Sequence, residues 1–301
     1  SHPDCHAHDT GQEHPECASR LSAIEDNLLQ SGLSDFLINV DAPEVTEEQL
    51  LRAHTAAHIA SMKASIPFQG YARLDPDTVI CPQSLQAAKR AAGAAVHAVD
   101  MIMDGRVQNA FCAVRPPGHH AETDRALGFC MFNNLPVGVK HALEYHGINR
   151  VAVIDFDVHQ GNGTEDILIG DDRVLYCSTF QHPFFPYTRL PENSDRVVSV
   201  PLDATAKSAE FRAAVTDHWL PALERFEPEM IFVSAGFDAH KDDDMSYVSL
   251  TDDDFSWVTQ HIVRLAEKSA EGHIVSCLEG GYELYSLARC VNKHLRLLMG
   301  V

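Results

Sequence analysis

Two aspartates and a histidine at alternate positions, Asp155, Asp157 and His159, are residue types that can hold a metal ion. They directly follow the apolar residues 151–154, a run typical of a strand that is buried on both faces. Because alternate residues of an extended chain face the same way, the three side chains can converge. The alternative is a solvated turn, which we disfavour because two buried carboxylates without partners are costly.

Three further stretches place titratable groups or glycines directly after an apolar run. They are Arg-Pro-Pro-Gly-His-His at 115–120, Gly-Phe-Asp-Ala-His at 236–240 and Glu-Gly-Gly-Tyr at 279–282. In an open α/β sheet, ligands bind beyond the carboxyl ends of the strands. One such loop can be an ordinary polar connection, but four of them at one sheet edge predict an active site.

The residue types at this edge indicate a catalytic metal site. Asp157, His159 and Asp238 form a set of two carboxylates and one imidazole that leaves a coordination position for water. Zinc fits this set, and Fe(II) or Mn(II) is also admissible.

The remaining loops offer groups for proton transfer and for oxyanion stabilisation. His119 and His120 follow a stiff Pro-Pro-Gly bend that can turn both imidazoles to one site, although a surface pair is the simpler alternative. Gly280 and Gly281 permit close backbone approach, and Tyr282 can donate its hydroxyl to a developing oxyanion. The alternative for Tyr282 is that it only begins the last helix. The predicted reaction is metal-assisted hydrolysis of an amide.

Strands that alternate with helices must position these loops. The pattern predicts strands at 110–114, 151–156, 174–180, 197–202, 230–235 and 274–278, separated mostly by helices at 134–146, 163–169, 208–226, 252–270 and 284–298. Such alternation favours a mostly parallel sheet covered on both faces. No repeat or linker divides the sequence, so we interpret residues 1–301 as one domain.

The first part of the chain carries weaker signals. We expect a polar loop at 1–16, a helix at 15–30, a strand at 37–40 and a helix at 46–63 that begins with a capping box. A long Ala-rich helix then runs over 84–103.

The net charge of −20 argues against direct binding of nucleic acid. No apolar run is long enough to span a membrane, which predicts no membrane partner. The eight cysteines form no CxxC pair, a pattern that fits a reducing compartment and predicts a cytoplasmic protein.

These motifs resemble the histone deacetylase family of zinc-dependent amidohydrolases, and their residues are most similar to its class II and bacterial deacetylase-like branch. The similarity runs from His-Asp-Thr-Gly at 8–11 to Tyr282 and includes Asp-Phe-Asp-Val-His at 155–159. The resemblance implies a single-domain α/β fold of the arginase/deacetylase type, with three layers and a central, mainly parallel sheet of eight strands.

The resemblance also implies roles for individual residues. Zinc would be held by Asp157, His159 and Asp238. His120 would act as the general base and then as the acid for the leaving amine. His119 would assist electrostatically, and Tyr282 would polarise the acyl carbonyl.

Further roles follow from the same resemblance. Asp155 would orient His119 and would ligate a structural potassium ion together with Ser178, Thr179 and the carbonyls of Asp157 and His159. Asn162 would support His120. The substrate tunnel would be lined by Gly128, Phe129, Phe185, Met245, Gly280 and Gly281.

Several positions depart from the family's usual pattern. Gln160 follows the zinc-binding histidine where His is often found, Cys17 replaces a usual Pro, and Thr-Phe-Gln at 179–181 differs from the usual run. Met245 stands where relatives selective for acetylpolyamines tend to carry Glu, which favours acyl-lysine in proteins or peptides as the substrate. Tyr282 is present, unlike in weakly active relatives, which predicts catalysis.

Three other functions compete with an acyl-lysine deacylase. The nearest is an acetylpolyamine amidohydrolase, followed by a non-catalytic acyl-lysine-binding module. A ureohydrolase would need a second metal, and we expect Asp242, Asp243 and Asp244 to form a solvated loop at the rim instead. The acyl chain preferred, the native metal and any homo-oligomer stay open at this point.

Overall fold

Six parallel strands form the central sheet of the protein, for which a computed structural model describes residues 1–301. The strands of this sheet are β3 (Asn109–Cys112), β4 (Val151–Asp155), β5 (Val174–Gln181), β6 (Val197–Leu202), β7 (Met230–Ala235) and β8 (Ile274–Leu278). They lie in the order β3-β8-β7-β4-β5-β6. All six strands occur where the alternation in the sequence predicts them. Every residue of β4, β5, β7 and β8 is buried, as helices on both faces of a sheet require.

The α/β class implied by the resemblance is confirmed, but the central sheet has six strands and not eight. The other two strands, β1 (Ala72–Arg73) and β2 (Val79–Ile80), form a separate antiparallel pair. Each is two residues long because prolines at 67, 76 and 82 remove backbone donors around them.

Eleven α-helices surround the sheet. They are α1 (Pro3–Ala7), α2 (Ser19–Gln30), α3 (Glu47–Leu50), α4 (Ala56–Ser65), α5 (Ser84–Met103), α6 (Asn134–Glu144), α7 (Asn162–Leu168), α8 (Ser208–Ala214), α9 (Leu220–Phe226), α10 (Asp252–Ser269) and α11 (Leu284–Leu298). A 3₁₀ turn follows α2 at Leu33–Phe36, and a π-helical segment, Val215–Trp219, joins α8 to α9. None of the helices combines the length and the apolar character that crossing a membrane requires.

Two predictions for the first part of the chain are wrong. Residues 37–40 form no strand, and the helix expected over 46–63 is divided into α3 and α4. The capping box at Thr46 is present. The division occurs because Thr55 caps a new helix: its hydroxyl accepts from the His58 amide at 3.1 Å, while its own amide donates to the Thr123 carbonyl at 2.9 Å.

The segment expected as a polar loop at 1–16 is helical in part and packs into the interior. The reason is Arg115, whose fully buried guanidinium requires acceptors on every side. It binds the Glu16 carboxylate at 2.5 and 2.8 Å and the carbonyls of Cys5 and His8, both at 3.0 Å. A residue that follows β3 therefore fixes the N-terminal segment against the sheet.

Candidate active site

The four motif loops follow four adjacent strands of the sheet. In the order β3-β8-β7-β4, the neighbouring carboxyl ends deliver the loops that begin at Arg115, Glu279, Gly236 and Phe156. This topology explains why residues so far apart in the sequence converge. A cavity of about 520 Å³ opens beside them, with His120, His159 and Tyr282 among its lining residues.

Asp157, His159 and Asp238 lie together as the sequence predicts. Their ligand atoms are all within 4.8 Å of one another, and all three residues are buried. His159 Nδ1 is 3.1 Å from both Asp157 Oδ1 and Asp238 Oδ2. The contact between His159 Nδ1 and Asp238 Oδ2 does not have the geometry of a hydrogen bond, so this buried oxygen is left unsatisfied, a costly state that a cation would relieve. This donor set fits a divalent ion such as zinc.

The backbone around these ligands is shaped to hold them. The amide of Gly280 donates to Asp157 Oδ2 at 2.8 Å, and the amide of Val158 donates to Asp238 Oδ1 at 3.0 Å. A Cβ at position 280 would fall 2.0 Å from Asp238 Oδ2, so this close approach requires glycine. The carbonyl of Gly281 accepts from Arg20 Nε at 2.7 Å. Both glycines were expected along the tunnel, but neither is among the residues that line the cavity: Gly280 contacts the ligands, and Gly281 contacts Arg20.

His119 and His120 both turn towards the site, with ring centroids 4.0 Å apart. Asn162 Nδ2 donates to Glu122 at 2.7 Å, which leaves Asn162 Oδ1 to accept from His120 Nδ1 at 2.8 Å. Nδ1 of His120 therefore carries a hydrogen, and its Nε2 is free to accept a proton. Burial and the neighbouring imidazoles of His119 and His159 hold the pKa of His120 well below its usual range.

The second imidazole is in a different electrostatic environment. His119 Nδ1 lies 3.2 Å from Asp155 Oδ2, and Nε2 lies 3.7 Å from Asp157 Oδ1. Although burial opposes its charged form, Asp157 and Asp155 raise the pKa of His119 to about 10. The two histidines are therefore pushed towards opposite protonation states, which is typical of an acid and base pair.

The residues proposed for potassium lie beneath the site. Asp155 faces Ser178 in the register of β4 and β5, and buried Thr179 comes next along β5. Asp155 also accepts from the Asp157 amide at 3.1 Å and from the Tyr176 hydroxyl at 3.3 Å. The Ser178 hydroxyl donates to the Ser199 hydroxyl on the adjacent strand β6 at 3.0 Å.

The predicted tunnel residues Gly128, Phe129, Phe185 and Met245 all line the cavity. The ring of Phe185 stands edge-on to His120 at 5.0 Å, and the ring of Phe129 stands edge-on to Tyr282 at 5.9 Å. A Cβ at Gly128 would fall 2.5 Å from the His120 ring, so the wall approaches the imidazole as closely as glycine permits. Aromatic rings therefore stand directly beside His120 and Tyr282, while the charged lining residues Arg73 and Asp77 are exposed.

Two buried carboxylates of the site, Asp243 and Glu279, had no role in the interpretation of the sequence. Asp243, which we expected in a solvated loop, is only 5 % exposed, so that prediction is wrong. Its Oδ2 accepts from the amides of Tyr282 and Glu283 at 2.6 and 3.0 Å. Glu279 Oε2 accepts from the amides of Gly118 and His119 at 2.7 and 3.1 Å, and burial raises the pKa of Glu279 to about 7.

Only one of these two carboxylates had a signal in the sequence. Glu279 directly follows buried β8, in the way that Phe156 and Asp157 follow β4. The contacts of Asp243 reach backbone amides about 40 positions further along the chain, and no spacing rule indicates them.

Two other clusters of histidine, carboxylate and thiol groups are already satisfied by protein partners. Asp100 accepts from His141 and His146 at 2.7 Å each, while Arg52 lies 2.8 Å from the other His141 nitrogen. In the cluster of His240, Asp252 and Cys290, the Asp252 carboxylate also pairs with Arg289 and Lys293. Nearby cations disfavour a further cation, so these clusters are polar networks.

A parallel α/β sheet whose carboxyl edge carries a metal-capable triad and paired histidines defines an α/β protein with a candidate metal-dependent active site. The chain belongs to the histone deacetylase family, because the protein-family model described as the histone deacetylase domain matches residues 14–298.

Individual relatives agree with this membership. The chain is 38 % identical over 296 residues to a histone deacetylase-like amidohydrolase of Pseudomonas aeruginosa, covering 96 % of this chain and 77 % of that protein. It is 34 % identical to the polyamine deacetylase HDAC10 of Mus musculus, covering 95 % of this chain but only 45 % of that protein. The crystal structure of the HDA15 HD domain superposes with a TM-score of 0.92 at 32 % identity, covering 99 % of this chain and 87 % of that one.

Proposed function

We propose that the protein is a zinc-dependent deacylase that removes acyl groups from lysine side chains of proteins or peptides. Acetyl is the acyl group that we expect it to remove. The observation that carries the proposal is that Asp157, His159 and Asp238 converge beside a cavity that His120, His159 and Tyr282 line. An aromatic channel of this kind suits the apolar stem of a lysine side chain, whose acyl amide would reach the polar base.

A divalent ion at the triad would supply Lewis-acid activation of water and of the acyl carbonyl. His120 accepts the proton of the attacking water at Nε2, since its Nδ1 is bound to Asn162. The same nitrogen then returns the proton to the departing lysine amine. The Tyr282 hydroxyl donates to the oxyanion that forms on the acyl group. His119, positioned by its contact with Asp155, would assist electrostatically beside the reacting centre.

Potassium at Asp155, Ser178 and Thr179 belongs to the proposal as well. Asp155 and Ser178 face each other in the register, and the carbonyls of Asp157 and His159 are close in the chain. Carbonyl, hydroxyl and carboxylate oxygens are ligands for hard cations. Added K⁺, compared with an equal ionic strength of a bulky organic cation, is expected to raise the melting temperature.

The second candidate is an acetylpolyamine amidohydrolase. It is favoured by the similarity to polyamine deacetylases and by the exposed carboxylate of Asp77 among the lining residues, which can attract an ammonium group. The uncharged Met245 at the same cavity favours acyl-lysine, because a distal ammonium finds no carboxylate there.

The test compares kcat/KM of zinc-loaded protein on acetyl-lysine peptides and on acetylputrescine or acetylspermidine. We expect the peptides to be preferred, and His120→Ala to lower the rate by at least about 100-fold. His97→Ala, a substitution on α5 away from the cavity, is the matched control. A large preference for acetylpolyamines would establish the second candidate, and full activity of His120→Ala would exclude the mechanism.

A further inference from the structure

Arg73 is the one lysine or arginine among the residues that line the cavity. It is exposed at the mouth, whereas His120, His159 and Tyr282 lie at the base. Its one hydrogen bond runs from Nη1 to the carbonyl of Pro76 at 2.5 Å, and no carboxylate of the protein is ion-paired with it. A positive charge without a partner therefore stands at the entrance of a protein whose net charge is −20.

The turn that carries Arg73 is fixed to the cavity wall. Asp75 accepts from the Asp77 amide at 2.7 Å, from the Thr78 amide at 2.6 Å and from the Thr78 hydroxyl at 2.7 Å. It also accepts from the Gly128 amide at 3.2 Å, and Thr78 Oγ1 accepts from the Phe129 amide at 2.9 Å. Because the turn is tied to the wall at two points, Arg73 is held at a defined side of the mouth.

Neither of the neighbouring carboxylates, Asp75 and Asp77, forms an ion pair with Arg73. The oxygens of Asp75 are turned to four donors within its own turn and the wall, although the carboxylate keeps its charge. Asp77 is exposed, and its carbonyl is bound by His14 Nε2 at 3.1 Å. Met245 contributes a thioether without charge. The mouth therefore presents separated positive and negative groups, and a substrate side chain that carries a negative charge would be attracted to Arg73.

We propose that Arg73 makes the enzyme prefer acyl-lysine peptides with an acidic residue beside the acyl-lysine. This inference rests on the proposed function. An exposed pair of opposite charges changes kcat/KM by about two- to fivefold, and salt weakens it. The same charge repels a substrate with several ammonium groups, so Arg73 also lowers the use of acetylpolyamines.

The experiment uses three acetyl-lysine peptides that differ at one flanking position, which carries Glu, Gln or Lys. The zinc-loaded wild type is expected to hydrolyse the Glu peptide about two- to fivefold better than the Gln peptide at low salt, with a smaller ratio at high salt. Arg73→Gln removes the preference, Arg73→Glu reverses it in favour of the Lys peptide, and Arg73→Lys retains most of it. Arg106→Gln is the matched control, since Arg106 is exposed near the amino end of β3, at the opposite edge of the sheet.

The neutral Gln peptide separates failure of this inference from failure of the proposed function. If neither the wild type nor any variant hydrolyses the Gln peptide, the proposed function is wrong. If wild type hydrolyses it but treats the three peptides alike, Arg73 does not select substrates. A preference that persists unchanged in Arg73→Gln would also overturn the inference, because another residue would then be responsible. A melting temperature equal to that of the wild type establishes that each Arg73 variant is folded.

Discussion

At the scale of single residues, the predicted metal cluster divides according to its neighbours. Asp157 lies beside His159 and Asp238, while Asp155 contacts His119 and Tyr176. We expect Asp157→Asn to lose zinc, because it removes one of three ligands. Asp155→Asn should keep zinc but lower kcat by about 10- to 100-fold, since it weakens the support of His119. Metal analysis after gel filtration, together with kcat, measures both effects.

Equal loss of zinc in the two variants would contradict this division of roles. Asp171→Asn is a suitable control for the loss of one carboxylate, because Asp171 pairs with Lys140 and Arg173 far from the cavity.

Asp243 supports a second prediction at the residue scale. Its carboxylate binds the amides of Met245, Tyr282 and Glu283, so Asp243→Ala leaves three donors without their acceptor and releases the Tyr282 backbone. We expect kcat to fall about 10- to 100-fold with zinc content preserved, because a small displacement of an oxyanion donor is costly. Asp243→Asn keeps one acceptor oxygen and should restore part of the rate.

The neighbouring exposed residue provides the control for that experiment. Asp244→Ala removes a carboxylate one position away and should leave kcat unchanged. A loss of zinc in Asp243→Ala, or an effect on KM alone, would show that Asp243 does not act through Tyr282.

Residue types and strand ends were sufficient to predict the triad, the histidine pair and Tyr282 as neighbours. They gave no indication of Asp243, and they located Glu279 at a strand end without its role, because both roles depend on backbone amides of distant loops. Because every residue except proline carries the same backbone N–H group, the type of the donating residue does not indicate a hydrogen bond from the main chain. For the same reason, the sequence of Arg73 to Thr78 does not reveal that Asp75 closes the turn.

At the scale of elements, the loop after β8 must pass directly over the metal ligands. A Cβ added to Gly280 would lie 2.0 Å from Asp238 Oδ2 and 2.6 Å from Asp157 Oδ2. We therefore expect Gly280→Ala to weaken zinc binding by at least about tenfold, because either the loop or the ligands must move. Competition between the protein and a zinc-binding dye measures the affinity.

A second glycine distinguishes this clash from general backbone strain. Gly147 has a positive φ of 71° but nothing within 4 Å of its added Cβ. Gly147→Ala should lower stability slightly and leave zinc affinity unchanged. Equal zinc affinities of the two variants would mean that the loop after β8 adapts without moving the ligands.

The predicted strands succeeded where burial on both faces leaves a continuous apolar run, as in β4 and β8. The first part of the chain was harder because its structure is imposed by tertiary contacts. The acceptors that Cys5, His8 and Glu16 supply to Arg115 draw a polar stretch into the interior. Such a contact spans about 100 residues, whereas periodicity describes only neighbours.

At the scale of the whole molecule, several buried histidines couple folding to pH. His294 on α11 is 1 % exposed between α10 and β8. Its Nδ1 lies 2.8 Å from the Thr259 hydroxyl, which already donates to the Phe255 carbonyl, so Nδ1 carries the hydrogen. Its Nε2 then accepts from Ser276 at 3.0 Å. Burial lowers the pKa of His294 to about 3, and His8 and His54 are also lowered, each to about 4.

These shifts predict that acid begins to destabilise the fold near pH 6.5, before most carboxylates titrate. The unfolded chain binds a proton at His294 near pH 6.5, whereas the folded chain resists protonation until about pH 3. The contribution of the neutral His294 to the free energy of unfolding is therefore complete above pH 6.5 and is lost as the pH falls towards 3, by about 2 kcal/mol at pH 5 for one such histidine.

We expect the urea-unfolding free energy of the wild type to fall between about pH 7.5 and about pH 5. In His294→Gln this fall should be smaller by about 2 kcal/mol. His97→Gln, a partly exposed control, should follow the wild type. Identical pH slopes for wild type and His294→Gln would show that the core accepts a charged imidazole at this position.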